Sequence, residues 1–352
     1  MADPFTAWRS RSSSRRSRRR HWRGRYGMSG QPPGSRGRHR PGQTAGGTPD
    51  RQEWVMPSVA FVINRALVRD PRRFLRRCLA AAAERGWEPW FAQTAEAEGG
   101  LAEAPPGVAG ADLVFAAGGD GTVRACAEVL AGTGVPLAIV PLGTANLTAQ
   151  ALGVSGRADQ AIEGGFDGRD HRIDLACVAL GVGADAARFT AMAGIGLDAA
   201  VVRATGPHAK ARLGWLAYAV SGVRHLSLPP RDYTVRLDGG EPFSRTARSV
   251  VVGNAGLLPG GFVLLPGARL DDGLLDVGIL APAGPLGWAL VAGRVLTRDR
   301  RQDRQLERFQ ARRVQVSAAV ELPRQVDGEM VAPGRTLDVS VCPGTLTVRL
   351  PG

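Results

Sequence analysis

The run Val114-Phe115-Ala116-Ala117-Gly118-Gly119-Asp120-Gly121-Thr122-Val123 constrains this chain more than any other stretch. An apolar segment of strand character opens into three glycines around one aspartate, and a helix-forming sequence follows. Glycine has no Cβ, so the main chain can turn sharply and bring its N–H groups close to a ligand. Such a turn, running into a helix N-terminus, forms a cradle for phosphate. Thr122 adds a hydroxyl. Asp120 beside phosphates requires a cation or ordered water to screen it, and that combination suggests a nucleotide with Mg2+. The plainer alternative is a tight βα turn in which Asp120 is an N-cap.

The flanking sequence supplies a frame for this turn. Ser58–Ile63 reads as an apolar strand. Asp70–Gly86 has helical spacing at Phe74, Leu75, Cys78, Leu79 and Ala82, with Gly86 as the stop. Glu88–Gln93 is a second strand, Asp112–Ala117 a third and Val135–Val140 a fourth. A helix through Leu130 follows the third, and a helix through Leu152 follows the fourth. Strands alternating with helices and short glycine-rich turns predict a parallel α/β sheet. The fourth strand ends in a second loop, Pro141-Leu142-Gly143-Thr144-Ala145-Asn146. Successive parallel strands place such loops on one edge, where ligands bind in open α/β folds. The Thr144 hydroxyl and Asn146 amide suit phosphate and ribose contacts, although Asn146 could equally cap the next helix.

After about residue 156 the rhythm changes. Short β-branched runs recur between Gly and Pro: Arg172–Val178, Arg188–Ala193, Tyr233–Leu237, Ser249–Val252, Phe262–Leu265, Leu275–Leu280, Val314–Val316 and Leu346–Leu350. They predict a largely antiparallel β-sandwich. Two helices are expected within it, near Leu213–Leu226 and Leu286–Phe309. The second would end on Arg300, Arg304 and Arg308 beside Asp299, Asp303 and Glu307, either a solvated, charge-laced face or a contact for anionic headgroups.

Two acidic turns lie in this half. Leu270-Asp271-Asp272-Gly273-Leu274-Leu275-Asp276 puts three carboxylates around a turn, the oxygen-rich type that hard cations prefer, though also an ordinary Asp-Gly hairpin. Gln325-Val326-Asp327-Gly328-Glu329 puts two acids on another turn. Transfer of a phosphoryl group to an alcohol needs a base near the acceptor, and a carboxylate here could serve.

Charge does not overturn this reading. Residues 1–50 hold 12 Arg against Asp3 and Asp50, and so carry ten of the thirteen net positive charges. The tail is basic and the body nearly neutral, which gives no specific nucleic-acid signature in the body. Residues 1–55 lack the apolar content to offset ordering and are expected to be disordered; Met28 and Met56 offer alternative starts within or after them. No basic-then-apolar leader and no long uninterrupted apolar run is present, so neither a signal peptide nor a membrane span is expected. Cys78, Cys126, Cys177 and Cys342 are widely spaced and read as small buried hydrophobes in a reducing cytoplasm. The five histidines form no cluster.

The four motifs GGDGT, PLGTAN, LDDGLLDV and VDGE, in this order over about residues 57–351, resemble the diacylglycerol kinase catalytic-domain family. That family includes bacterial soluble lipid kinases and the sphingosine and ceramide kinases. Further similarity lies in Ala193–Ala199, in Asn254-Ala255-Gly256 and in Gly260-Gly261. The resemblance implies an α/β nucleotide domain over 56–155, completed by about 333–352, and a lipid-binding β-sandwich over 156–332. It implies ATP phosphates on Gly118, Gly119, Asp120, Gly121, Thr122, Val123 and Arg124, with Thr94, Gly143, Thr144 and Asn146 as further nucleotide contacts. It implies a structural Mg2+ on Asp272 and the carbonyls near Arg269 and Leu274, and a catalytic Mg2+ riding with ATP and Asp120. Glu329 would be the base that takes the proton from a lipid hydroxyl, diacylglycerol above all. Arg65 stands where relatives have Pro, and Leu147 where many have Asp; both touch the nucleotide edge.

The expected activity is therefore ATP-dependent phosphorylation of a lipid alcohol by a cytoplasmic protein in transient peripheral contact with membranes, with a homodimer compatible. A catalytically weak, regulatory member that binds nucleotide or lipid, or an NAD kinase on the same nucleotide fold, are the alternatives.

Overall fold

The computed structural model describes residues 56–94, 102–154, 156–180, 187–196, 229–299, 301 and 303–352. The expected disordered tail, the helix near Leu213–Leu226 and Leu197–Ala199 lie outside them.

Strand β1 (Ser58–Ile63) is apolar along its length because both faces are covered, as a central parallel strand requires. It lies between β2 (Glu88–Gln93) and β3 (Leu113–Gly118), and β3 pairs with β4 (Leu137–Pro141), all in parallel. The crossovers are helices α1 (Pro71–Glu84) and α2 (Asp120–Leu130). Asp70 caps α1 by accepting from the Arg73 N–H, with Pro71 at its first position. After β4 come a short α3 (Leu147–Ala151) and α4 (Ala158–Asp167). Helix α4 is not among the elements expected from the sequence, and it carries a Gly164-Gly165 pair of low helix propensity. Its Phe166 ring nevertheless packs on Phe115 at 4.9 Å, and Phe115 stacks on Phe61 at 4.8 Å.

The antiparallel half comprises β5 (Arg169–Ala179), β6 (Ala187–Phe189), β7 (Met192–Ile195), β8 (Arg231–Leu237), β9 (Phe243–Ala247), β10 (Ser249–Gly253), the hairpin β11 (Leu257–Leu258) and β12 (Phe262–Val263), β13 (Leu275–Leu280), β14 (Leu306–Ala311), β15 (Arg313–Val326) and β16 (Glu329–Leu350). These strands bury a core that includes Phe189, Ile195, Tyr233, Val277, Val314 and Val339. The halves are joined through β16. It pairs with β15 and then β5, and near its end Val348 lies parallel to Leu137 of β4. The sheet therefore continues from the sandwich into the parallel strands, and the C-terminal segment returns to the first half of the chain.

Two expectations need correction. The helix proposed over Leu286–Phe309 is α5 (Gly284–Thr297), and Phe309 belongs to β14. Arg298 takes a left-handed conformation and stops the helix, and the Asp303 carboxylate then turns the chain by accepting from the Gln305 and Leu306 N–H groups. Arg304 and Arg308 therefore share no helical face. The cysteines divide into two pairs: Cys78 and Cys126 are buried and free, but Cys177 and Cys342 form a disulfide between β5 and β16. Sequence spacing gave no sign of that bridge because 165 residues separate the two.

The register of β16 shifts between Cys342 and Leu346, and a buried carboxylate on β5 holds the irregularity. Asp174, 3% exposed, accepts from the Gly344 N–H and from the Gly273 N–H, each at 2.7 Å. Asp174→Ala strands both donors. It is expected to cost about 2–4 kcal/mol, read as a lowered urea midpoint with an unchanged slope.

Candidate functional site

The loops after β1, β2 and β3 meet at the C-terminal edge of the parallel sheet, and a cavity of about 480 Å³ opens there. Asn64 and Arg65 line it from the first loop, Thr94 from the second, and Gly119, Gly121 and Thr122 from the third. Glu329 reaches the same cavity from the start of β16. A second hollow, about 550 Å³, lies on the sandwich near Arg245 and Glu307 and includes none of the residues singled out in the motifs. Size alone thus does not mark the chemistry; the convergence of loops does.

Gly121 lies under a close approach. A Cβ there would lie 2.4 Å from the Glu329 Oε1, so the carboxylate rests directly over the turn. The two loops are clasped in the same way: a Cβ on Gly143 would lie 2.6 Å from the Gly119 Cα, and the Leu142 N–H donates to the Gly118 carbonyl at 2.9 Å. At the start of α2 the Thr122 and Val123 N–H groups donate to the Gly119 carbonyl at 3.0 and 3.1 Å, which leaves the N–H groups of Asp120 and Gly121 without an acceptor in the helix.

Glu329 is two-thirds buried, and burial pushes its carboxyl above the ordinary glutamate range. The Arg124 guanidinium, 3.5 Å from the Glu329 Oε2, pulls the other way. Arg124 is 3% exposed, donates to the Ala102 carbonyl at 2.7 Å and does not line the cavity. Its place is behind the carboxylate.

The turn that carries Glu329 is fixed by Asp327. This carboxylate is buried and takes four hydrogen bonds. Oδ2 accepts from the Thr190 N–H (2.9 Å) and hydroxyl (3.1 Å), and Oδ1 from the N–H groups of Ala191 (2.8 Å) and Met192 (3.0 Å). The Thr190 hydroxyl also meets the Thr148 hydroxyl at 2.7 Å. The Thr148 N–H donates to Asp120 Oδ1 at 3.2 Å. A chain of polar contacts thus runs from the base of the glycine turn, through α3, to the turn bearing Glu329.

Residues 58–178 match the family described as diacylglycerol kinase catalytic domain, and residues 191–350 match the YegS C-terminal NAD kinase beta sandwich-like domain. The protein named "Probable lipid kinase YegS-like" of Pseudomonas aeruginosa strain UCBPP-PA14 is 35% identical over 249 residues, covering 69% of this chain and 78% of that protein. One of the same name from Stenotrophomonas maltophilia is 33% identical, covering 69% and 80%. The chain belongs to the diacylglycerol kinase catalytic-domain family. A crystal structure of a diacylglycerol kinase from Bacillus anthracis str. Sterne covers 84% of this chain and 97% of its own at 20% identity, with a TM-score of 0.59, a likeness of fold.

In this family member the remaining motif residues take distinct places. Gly118 and Val123 are buried beneath the turn. Asp120 does not line the cavity; its carboxylate faces the N-terminus of α3. Burial raises it to about 6, against the N–H groups of Leu147, Thr148 and Asn146 and with Asp327 nearby. Asn146 has a left-handed backbone, and its side chain closes the second loop by accepting from the Gly143 N–H and donating to the Gly143 carbonyl. Thr144 is exposed and outside the cavity lining. Leu147 is buried, and Arg65 adds a cation to the cavity wall.

The turn at Arg269–Leu274 holds no cage. Asp272 is exposed and its Oδ1 accepts from the Leu274 N–H, while Arg269 pairs with Asp271 at 3.1 Å. Among the described residues no group of three or more His, Cys, Asp or Glu side chains converges on a point. Asp272 with main-chain carbonyls would supply only part of the roughly six oxygens that a hard cation takes, the remainder coming from water as is usual for Mg2+, and no catalytic step follows from these residues.

Thr148 and Thr190 carried no motif signal, since a threonine before or within an apolar run reads as packing. Thr190→Val deletes a hydroxyl that serves two partners. It is expected to lower stability by about 1–3 kcal/mol in urea unfolding, with Thr190→Ser recovering most of the loss.

Proposed function

We propose that this protein is a lipid kinase that transfers the terminal phosphoryl group of ATP to the hydroxyl of a lipid alcohol, diacylglycerol first among them. The observation that carries the reading is the position of Glu329, in the same cavity as the glycine turn and directly above Gly121. Family membership and the lipid-kinase names of the relatives supply the reaction class.

The chemistry follows from what each residue offers. The glycine turn and α2 N-terminus present N–H groups to phosphate oxygens, and Thr122, Thr94 and Arg65 add polar and cationic contacts on the wall. Glu329 stands where a hydroxyl facing the terminal phosphate would lose its proton. The new O–P bond forms as the bond from the phosphorus to the leaving diphosphate oxygen breaks, and the hydroxyl proton goes to the carboxylate. Mg2+ brought with the nucleotide would neutralise charge on the phosphates. The raised affinity of Glu329 for protons makes it a stronger base than a solvated glutamate, and the Arg124 guanidinium limits that rise. No helix among the described residues is long and apolar enough to cross a membrane, so a bilayer-resident substrate would be met by peripheral contact.

Glu329→Gln preserves shape and removes the proton acceptor. It is expected to lower kcat by about 10²–10⁴-fold in a labelled-ATP assay with dispersed diacylglycerol and Mg2+, while ATP still binds in calorimetry. Unchanged turnover would remove Glu329 from the reaction, and loss of ATP binding would make it a structural residue.

The pH dependence has a definite sign. A base must be ionised, so kcat/KM is lost as pH falls through the Glu329 pKa, and burial places that limb above the ordinary glutamate range. Removing the opposing cation by Arg124→Met raises the pKa further. The acid limb of the kcat/KM profile is expected to move to higher pH in that variant; a shift to lower pH, or none, contradicts the pairing.

A further inference from the structure

Helix α5 is apolar on two opposite faces. Val291 and Val295, one turn apart, are buried against a cluster that includes Met192, Leu265, Leu280 and Leu306. The outward face carries Leu286, Ala289 and Leu290 at three- and four-residue steps, with Leu296 on its flank near the C-terminal end of the helix. Leu286 is 74% exposed, Leu290 45% and Leu296 47%, and Leu286 is the most exposed large apolar side chain among the described residues. A helix on a water-facing surface places polar residues outward; a contiguous apolar strip there marks contact with something else.

The residues beyond the helix say what that is. Arg298, Arg301 and Arg304 are exposed, and none of their guanidinium groups has a partner among the described residues. Their neighbours differ: Arg294 pairs with Asp303 at 2.5 Å, and Arg308 donates to the carbonyls of Leu264 and Arg301. An apolar helix face bordered by unpaired arginines matches a surface that is apolar within and anionic at its rim, which is a bilayer of anionic lipid.

We propose that α5 docks this protein on an anionic bilayer, with Leu286, Leu290 and Leu296 at the acyl boundary and Arg298, Arg301 and Arg304 on lipid phosphates. The proposal rests on the lipid-kinase reading, which gives the protein a substrate held in a membrane. It also connects the docked face to the reacting group. The buried side of α5 shares its cluster with Met192, whose N–H is held by Asp327, two residues before Glu329.

Flotation of the full chain with vesicles tests this. The vesicles are phosphatidylcholine alone or phosphatidylcholine with an equal part of phosphatidylglycerol, in about 0.3 M salt to screen the longer-range pull of the basic N-terminal residues. Leu286→Glu with Leu290→Glu is expected to lower partitioning at least about 10-fold, and the milder Leu286→Ser about 3-fold. Arg298→Glu with Arg301→Glu and Arg304→Glu is expected to abolish the preference for the anionic vesicles. All three variants should phosphorylate a short-chain diacylglycerol in detergent micelles as the parent does. Partitioning unchanged in the leucine variants overturns the proposal. So does a parent dimer that the leucine variants convert to monomer, which would make a second copy the occupant, or a marked fall in their unfolding midpoint, which would show the face to be covered by protein. Failure of the parent itself on micellar diacylglycerol sinks the lipid-kinase reading instead, and flotation still decides the docking face.

Discussion

A single buried carboxylate holds the geometry together. Asp327 takes four hydrogen bonds from the strand entry at Thr190–Met192, so that both of its oxygens are saturated without a cation. A charge or proton sequestered there would be costly without such donors. With them, the tight turn at Asp327-Gly328 is pinned, and the side chain two residues on is delivered to the parallel-sheet edge. The Thr190–Thr148 hydroxyl contact and the Thr148 N–H to Asp120 extend the clamp to the second loop. Arrangement of the cavity follows from this chain of contacts more than from any one glycine.

This gives two acids of similar sequence appearance opposite duties. Asp327 and Glu329 lie on one turn, yet the first is consumed by internal donors and the second faces the cavity with one cation behind it. Asp120 repeats the pattern on the other side. It sits inside the glycine motif but turns to the N-terminus of α3, where it stabilises the second loop. The carboxylates of these motifs are thus divided between holding the loops together and facing the cavity.

Much of the parallel half was legible beforehand, because its strands are continuous apolar runs and its punctuation is glycine and proline. Ser58–Ile63 and Glu88–Gln93 have the bounds their pattern predicted. The failures share a cause. Helix α4 contains a Gly-Gly pair that local propensity rejects but tertiary packing accepts, and the charged stretch after Thr297 has helical charge spacing yet turns at a left-handed Arg298. The Cys177–Cys342 bridge and the Asp174 clamp join residues about a hundred or more positions apart, so local pattern carries no trace of either.

By itself the sequence determined the chemistry available: a glycine turn able to approach phosphate, acids in two downstream turns, and alternating elements that force a parallel sheet. These are local properties, written in backbone freedom and in the period of apolar residues. Tertiary structure alone decided which acid faces the cavity, which arginine lies behind it, and that a helix would keep leucines on its outer face. Those outcomes depend on contacts between distant segments, and the energy of burying or pairing a charge exists only once those segments meet.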